Sequence, residues 1–130
     1  MKNAIVVEKL TKKYSSVFTL GEIDLTIPKG EIIGLIGENG AGKTTLIKSI
    51  LGIINPSSGS VKIFDKDLTT NELEIKENIG VVLDNMFFPE IMNAHDIEIS
   101  MQGIFKNWDS SLFHKYLTDF NLPENQPLKL

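Results

Sequence analysis

Hydrophobic positions along this chain change from runs and strict alternation to helical spacing, and the change falls near Met86. Residues 4–10 are largely apolar and predict a strand. Residues 21–27 alternate strictly, so that Ile23, Leu25 and Ile27 face a core while Glu22, Asp24 and Thr26 face water. A turn at Pro28-Lys29-Gly30 leads into Glu31-Ile32-Ile33-Gly34-Leu35-Ile36. This almost unbroken apolar run predicts a parallel strand buried on both faces. Residues 45–51 place Leu46, Ile47, Ile50 and Leu51 on one side of a helix that stops at Gly52. After the turn cluster Asn55-Pro56-Ser57-Ser58-Gly59, residues 60–64 predict a further short strand. Residues 71–78 predict a short helix, and the apolar run Ile79-Gly80-Val81-Val82-Leu83 follows it.

Beyond Met86 the spacing is helical. Asn93 with Asp96 marks a helix start, followed by Ile97, Met101, Ile104 and Phe105. Asp109 caps a second helix whose stripe is Leu112, Phe113, Tyr116, Leu117 and Phe120. Such a stripe reads as core rather than as a cofactor site. The order of elements makes the chain α/β, with residues 1–85 forming one part and residues 86–130 a second, helical part.

Between the predicted strand 31–36 and the predicted helix 45–51 lies Gly37-Glu38-Asn39-Gly40-Ala41-Gly42-Lys43-Thr44, a complete G-x-x-x-x-G-K-[ST] phosphate loop. Strand, glycine loop and helix start follow one another without spare residues. Gly37, Gly40 and Gly42 free the backbone for conformations that a β-carbon forbids and for close approach to a ligand. The loop amides and the positive end of the new helix then converge on one anion. In such a loop Lys43 brings a point charge to the β- and γ-phosphates, and the Thr44 hydroxyl is placed to ligate Mg²⁺.

Composition narrows the partners. The 130 residues make one domain or part of one, and 42% apolar with 23% charged residues is ordinary for a globular protein. A net charge of −4 speaks against general nucleic-acid binding, which needs clustered Lys and Arg. No cysteine is present, so disulfides and thiolate metal sites are excluded, in keeping with a cytoplasmic setting. The apolar start of the chain is interrupted at Glu8, too soon for a signal sequence, and no apolar run approaches ~18 residues. Any link to a membrane therefore runs through a partner.

The chain resembles the nucleotide-binding subunits of ABC transporters from about Ala4 onward. The resemblance rests on Leu10-Thr11-Lys12-Lys13-Tyr14, on residues 23–37, on Asn39-Gly40-Ala41-Gly42-Lys43-Thr44-Thr45-Leu46 and on Pro56-Ser57-Ser58-Gly59-Ser60-Val61. It implies a P-loop NTPase fold of the ABC type, truncated, with an antiparallel β-subdomain, part of the ATP-binding core and a partial helical subdomain. It implies ATP as ligand, held by Tyr14 and by Gly37, Glu38, Asn39, Gly40, Ala41, Gly42, Lys43, Thr44 and Thr45. Tyr14 matches the aromatic that stacks on adenine, where spacing alone leaves an ordinary strand-end tyrosine equally open. Thr45 matches the residue beside the α-phosphate. The resemblance further implies a transmembrane permease subunit and a second nucleotide-binding subunit as partners. The location it implies is cytoplasmic, against the membrane face, and the function is ATP-powered transport. The style of residues 79–84 is that of exporters.

Two departures stand out. Where the family places a glutamine that reaches Mg²⁺ and the attacking water, this chain has Asp84, followed by Asn85. A carboxylate is a good hard ligand for Mg²⁺. The same six residues also imitate a second NTPase motif, four apolar residues and an acid, and a capped strand end is a third reading. The other departure is that no Leu-Ser-Gly-Gly-Gln-like signature, catalytic glutamate or switch histidine occurs in the 130 residues, so the expectation is binding without complete catalysis. His95 and His114 lack the switch context and read as helix-surface residues. Two other classes fit the loop: a different P-loop enzyme such as a small kinase, with Asp84 as its metal acid, and a catalytically silent nucleotide-responsive module that docks a membrane protein.

Overall fold

The computed structural model describes residues 2–14, 19–38, 42–83 and 88–128. The chain divides into two compact units, Met1–Asn78 and Ile79–Leu130.

The first unit is built on a four-stranded antiparallel sheet. Its strands are β1 (Asn3–Lys13), β2 (Thr19–Pro28), β3 (Ser58–Ile63) and β4 (Lys66–Asp67), in the order β2-β1-β3-β4. Helix α1 (Lys43–Ile50) lies between β2 and β3 in sequence, and α2 (Glu72–Glu77) follows β4. The alternation seen in residues 21–27 is real: Ile23, Leu25 and Ile27 are half-buried, and Glu22, Asp24 and Thr26 are exposed. The central strand supplies the deepest core positions, Val7 and Leu10, joined by Leu20, Val61, Ile63, Leu68 and Ile75. Leu46 and Ile50 of α1 are buried as expected, while Ile47 is exposed. The helix ends at Gly52, whose φ of 73° suits a residue without a β-carbon.

β1 is not regular. Its pairing with β2 slips between Val7 and Leu10, and its pairing with β3 slips between Glu8 and Thr11. Lys9 sits at the slip with φ 48°, and its N–H donates to Asp24 Oδ1 at 2.9 Å. Gly59 crosses there with φ 91°, and a β-carbon on it would lie 2.4 Å from the Lys9 carbonyl oxygen. Such a bulge locally bends a strand and strengthens its twist; Tyr14 directly follows the end of β1.

The predicted strand over residues 31–36 does not form a ladder. Residues 31–38 carry no regular secondary structure and are exposed, with Ile32 at 100% and Ile36 at 95%. The segment is apolar, but a parallel strand is buried only between neighbouring strands with helices on both faces. None of the described residues supplies such neighbours. Residues 79–83, in the second unit, likewise form no strand; Val82 is 99% exposed, while Ile79 and Leu83 are half-buried.

The second unit contains α3 (Ala94–Ile104) and α4 (Ser110–Asp119). Asn93 and Asp96 form a reciprocal capping box, and Asp109 accepts from the Leu112 N–H. The segment after α4 returns to the start of α3, where Leu128 N–H donates to the Met92 carbonyl at 2.9 Å. The α4 stripe is core only in part. Leu117 is buried, but Leu112, Tyr116 and Phe120 are exposed, because this unit offers cover for one edge of the stripe and not for its full width. Glu98 of α3 is buried and satisfied by Trp108 Nε1, Ser110 Oγ and His114 Nε2 at 3.0, 2.9 and 3.0 Å. His114 reaches Glu124 with its other nitrogen, at 2.7 Å. It is therefore more than a surface residue: it ties both carboxylates together. His95 is exposed on α3. No helix among the described residues is long and apolar enough to cross a membrane.

Candidate nucleotide-binding site

The start of α1 is the chemical centre of the first unit. Gly42 is its N-cap, with φ 96°, a left-handed conformation strained for any residue with a β-carbon. The first helical hydrogen bond runs from Leu46 N–H to the Gly42 carbonyl at 2.9 Å. The N–H groups of Lys43, Thr44 and Thr45 therefore precede the intrahelical ladder. Gly42 has no side chain to cap them, and no acid occupies the first turn. A helix start of this kind presents donors and partial positive charge to an anion. Lys43 adds a full charge there, and its Nζ donates to the carbonyl of Gly37, folding the basic end back across the loop.

Thr44 is exposed, whereas Thr45, one residue on, is buried. The Thr45 hydroxyl lies 3.2 Å from the hydroxyl of Tyr14. Tyr14 itself is 53% exposed, so about half of its surface is open to solvent. The structure thus brings together Tyr14 with Thr45 and Lys43 with Gly37, four of the residues singled out from the sequence. Gly37 and Glu38 are exposed and lie outside any helix or strand. Asn39, Gly40, Ala41 and Asp84 lie outside the described residues, and so do the alternatives for Asp84.

The donor set fits a phosphate chain: uncapped amides, an ammonium and a hydroxyl, with no carboxylate in the helix's first turn to repel it. A hard divalent cation would find the Thr44 hydroxyl there and would complete its shell with ligand oxygens and water. No group of three or more His, Asp or Glu among the described residues is arranged to hold a metal without such a ligand.

The neighbourhood of Tyr14 carries a residue that sequence pattern alone does not single out. Lys12 Nζ lies 5.7 Å from the centroid of the Tyr14 ring and donates to the Asn55 carbonyl at 2.7 Å. Its role depends on how β1 lies against the segment after α1, and a lysine near a strand end is ordinary in any sequence.

A phosphate loop opening a helix, beside an antiparallel sheet whose strand end presents an aromatic ring, defines a P-loop nucleotide-binding protein of the ABC class. The model of the ABC transporter family matches residues 20–129, and the chain belongs to that family. It is 38% identical over 109 residues to the bacitracin transport ATP-binding protein BcrA of Bacillus licheniformis, covering 82% of this chain and 36% of that protein. It is 40% identical over 89 residues to the methionine import ATP-binding protein MetN 1 of Acinetobacter baylyi, covering 62% of this chain and 25% of the relative. Among solved structures, an ATP-binding subunit of an ABC transporter superposes with a TM-score of 0.80 at 21% identity, over 95% of this chain and 54% of that one. The chain thus spans between a quarter and about half of the length of these three proteins.

Proposed function

We propose that these residues form the ATP-binding part of an ABC transporter ATPase that powers membrane transport. The observation that carries the reading is the start of α1: an uncapped helix N-terminus on a left-handed glycine, with Lys43 folded over it and Tyr14 bonded to Thr45. The phosphates are assigned to the backbone of residues 37–45 and to Lys43, and the base to the ring of Tyr14. Thr44 and Asp84 are the assigned Mg²⁺ ligands. Bound Mg²⁺ supplies charge that neutralises the phosphate oxygens. Lys43 exchanges its bond to the Gly37 carbonyl for phosphate oxygens, so the ammonium keeps an acceptor in both states.

The partners follow from family membership. They are a transmembrane permease subunit and a second nucleotide-binding subunit, assembled on the cytoplasmic face of the membrane. Export is the direction we assign, from the character of residues 79–84, while relatives include a protein named for import and one named for bacitracin transport. Residues 1–85 carry the β-subdomain and phosphate loop in this reading, and residues 86–130 belong to the helical subdomain.

Calorimetric titration with Mg·ATP tests the core of the proposal. The parent chain should bind and Lys43→Ala should lose most of the affinity. Equal affinity in both proteins would remove the phosphate loop from the reading. Titrating metal against Asp84→Ala and Asp84→Gln at saturating ATP separates a ligand from a strand cap, since a cap leaves the metal dependence unchanged.

A further inference from the structure

Helix α4 ends in a reversal that sends the chain back along the second unit. Leu122 N–H donates to the Leu117 carbonyl at 2.8 Å and Asn121 N–H to the Thr118 carbonyl at 3.1 Å, with Asn121 at φ 54°. A left-handed residue just past a helix satisfies the last carbonyls in this way and turns the chain. The strap that follows, residues 122–128, is tied at two further points. Glu124 lies 2.7 Å from His114 Nδ1 of α4, and Leu128 N–H donates to the Met92 carbonyl, just before α3, at 2.9 Å. Pro123 and Pro127 have fixed φ angles and no N–H to offer, which stiffens the strap between its ties.

Between the strap, α3 and α4 lies a cavity of about 420 Å³. Helix α3 lines it with Ala94 and Ile97, and α4 with Phe113 and Leu117. The strap adds apolar groups of its own, and Gln126 is the one polar side chain among the described residues of the lining. A buried water needs about two to four polar partners, and these side chains offer a single amide, so an apolar occupant is favoured over water. No charged side chain is present in the lining to offset the desolvation of an ion. A strap tied at both ends and stiffened by proline does not collapse into the space, and a partner's helix or strand would have to unfasten it. A small molecule fits beside it, and the volume lies within the range of about 300–1,000 Å³ found for small-molecule sites.

We propose that this cavity is a binding site for a small, uncharged, mainly apolar molecule of about one or two rings, whose single polar atom bonds the Gln126 amide. Ala94 and Ile97 form one wall, Phe113 and Leu117 the other, and the strap sets the size of what enters. The site lies wholly in the second unit and does not depend on the nucleotide reading of the α1 start.

The test titrates indole into the full chain and follows the methyl resonances of Ala94, Ile97, Leu117 and Leu122 by NMR. Benzoate, similar in size but charged, is the comparison ligand. Indole should give saturable shifts at these methyls with a dissociation constant of about 1 mM or tighter, and benzoate should give none. Ala94→Leu fills the cavity and should weaken indole at least about tenfold. Gln126→Leu, on the exposed strap, should weaken indole by about two- to tenfold, the worth of one hydrogen bond, and leave benzene binding unchanged. Leu112→Ser, on α4 outside the lining, should bind indole as the parent does. The absence of saturable indole shifts at the four methyls overturns the proposal. Equal shifts with benzoate, or parent-like indole binding by Ala94→Leu, overturn it as well. Should Ala94→Leu fail to fold, Gln126→Leu decides, and parent-like indole binding there overturns the site as described.

Discussion

The hydroxyls of Tyr14 and Thr45 are 3.2 Å apart, which joins the aromatic end of β1 to the first turn of α1. A residue assigned to the base thus touches a residue assigned to the α-phosphate. Tyr14→Ala should weaken ATP by about 1–3 kcal/mol, the range for base–aromatic stacking. Stacking alone makes Tyr14→Phe neutral, but the bond to Thr45 changes that expectation. The phenylalanine variant should keep the stacking and lose about 0.5–1.5 kcal/mol of folding stability, the net worth of a side-chain hydrogen bond. Calorimetry and urea unfolding on the two variants decide it. An alanine variant that binds ATP as the parent does would leave Tyr14 with a structural role only.

Gly59 gives a prediction about the scaffold. Its φ is 91°, and a β-carbon placed on it would meet the carbonyl oxygens of Lys9 and Glu8 at 2.4 and 2.6 Å, so there is no room for a side chain. Gly59→Ala should cost more than about 2 kcal/mol, through left-handed strain and displacement of β1. Gly21→Ala is the matched control, since nothing lies within 4 Å of its β-carbon position. Equal urea midpoints for the two variants would contradict the close crossing of β1 and β3.

The second unit should respond to pH through His114. The Glu124 carboxylate, and after it Glu98, holds the His114 imidazolium above its ordinary value of 6.5. Glu98 is held below its ordinary 4.5 first by the Trp108 N–H, then by Ser110 and His114. A raised histidine stabilises fully below its unfolded value and loses that contribution as pH rises through its folded value. A lowered carboxylate contributes above its unfolded value and loses its share as pH falls. Both contributions are in force between 4.5 and 6.5. The thermal midpoint should therefore peak in that window and decline on the alkaline side, and His114→Gln should flatten the alkaline decline. An unchanged alkaline limb in the variant would show that the Glu98–His114–Glu124 link is energetically idle.

Residues 1–130 by themselves should not turn over ATP. Phosphoryl transfer to water needs in-line positioning, metal charge and a group that orients the nucleophile. The α1 start offers amides, one ammonium and one hydroxyl, and the sequence holds no Leu-Ser-Gly-Gly-Gln-like segment to close on the γ-phosphate. Phosphate release should stay at the level of Lys43→Ala. Turnover on the order of 1 per second that vanishes in Lys43→Ala would assign a complete catalytic centre to these residues.

Local signals in the sequence locate most elements to within a few residues. Asn93 with Asp96 and Asp109 mark helix starts because a side chain and nearby amides decide a cap. Alternation in β2 survives because one face of that strand packs. The failures share a cause. Ile32, Ile36 and Val82 are apolar, but periodicity reports which residues seek cover and says nothing of what provides it. Tyr116 and Phe120 miss the core for the same reason. At the site, Gly42 and Lys43 are legible because the loop chemistry is contiguous. The Tyr14–Thr45 bond is not, since it joins residues 31 positions apart whose meeting is decided by tertiary packing.

The exposed segment 31–38 bears on how the phosphate site is kept in shape. It leads directly into the glycine loop, yet no ladder among the described residues braces it. Among the described residues, the segment is tied to the α1 start through the bond from Lys43 Nζ to the Gly37 carbonyl and to no strand. A ligand that binds the ordered loop and not the unfolded chain raises stability by RT ln(1 + [L]/Kd), about 2.7 kcal/mol at a hundredfold excess over Kd. For a unit braced on one side this is a large share of the whole. Nucleotide would then act as a structural member, and the unfolding temperature of the chain would become a reading of its nucleotide concentration.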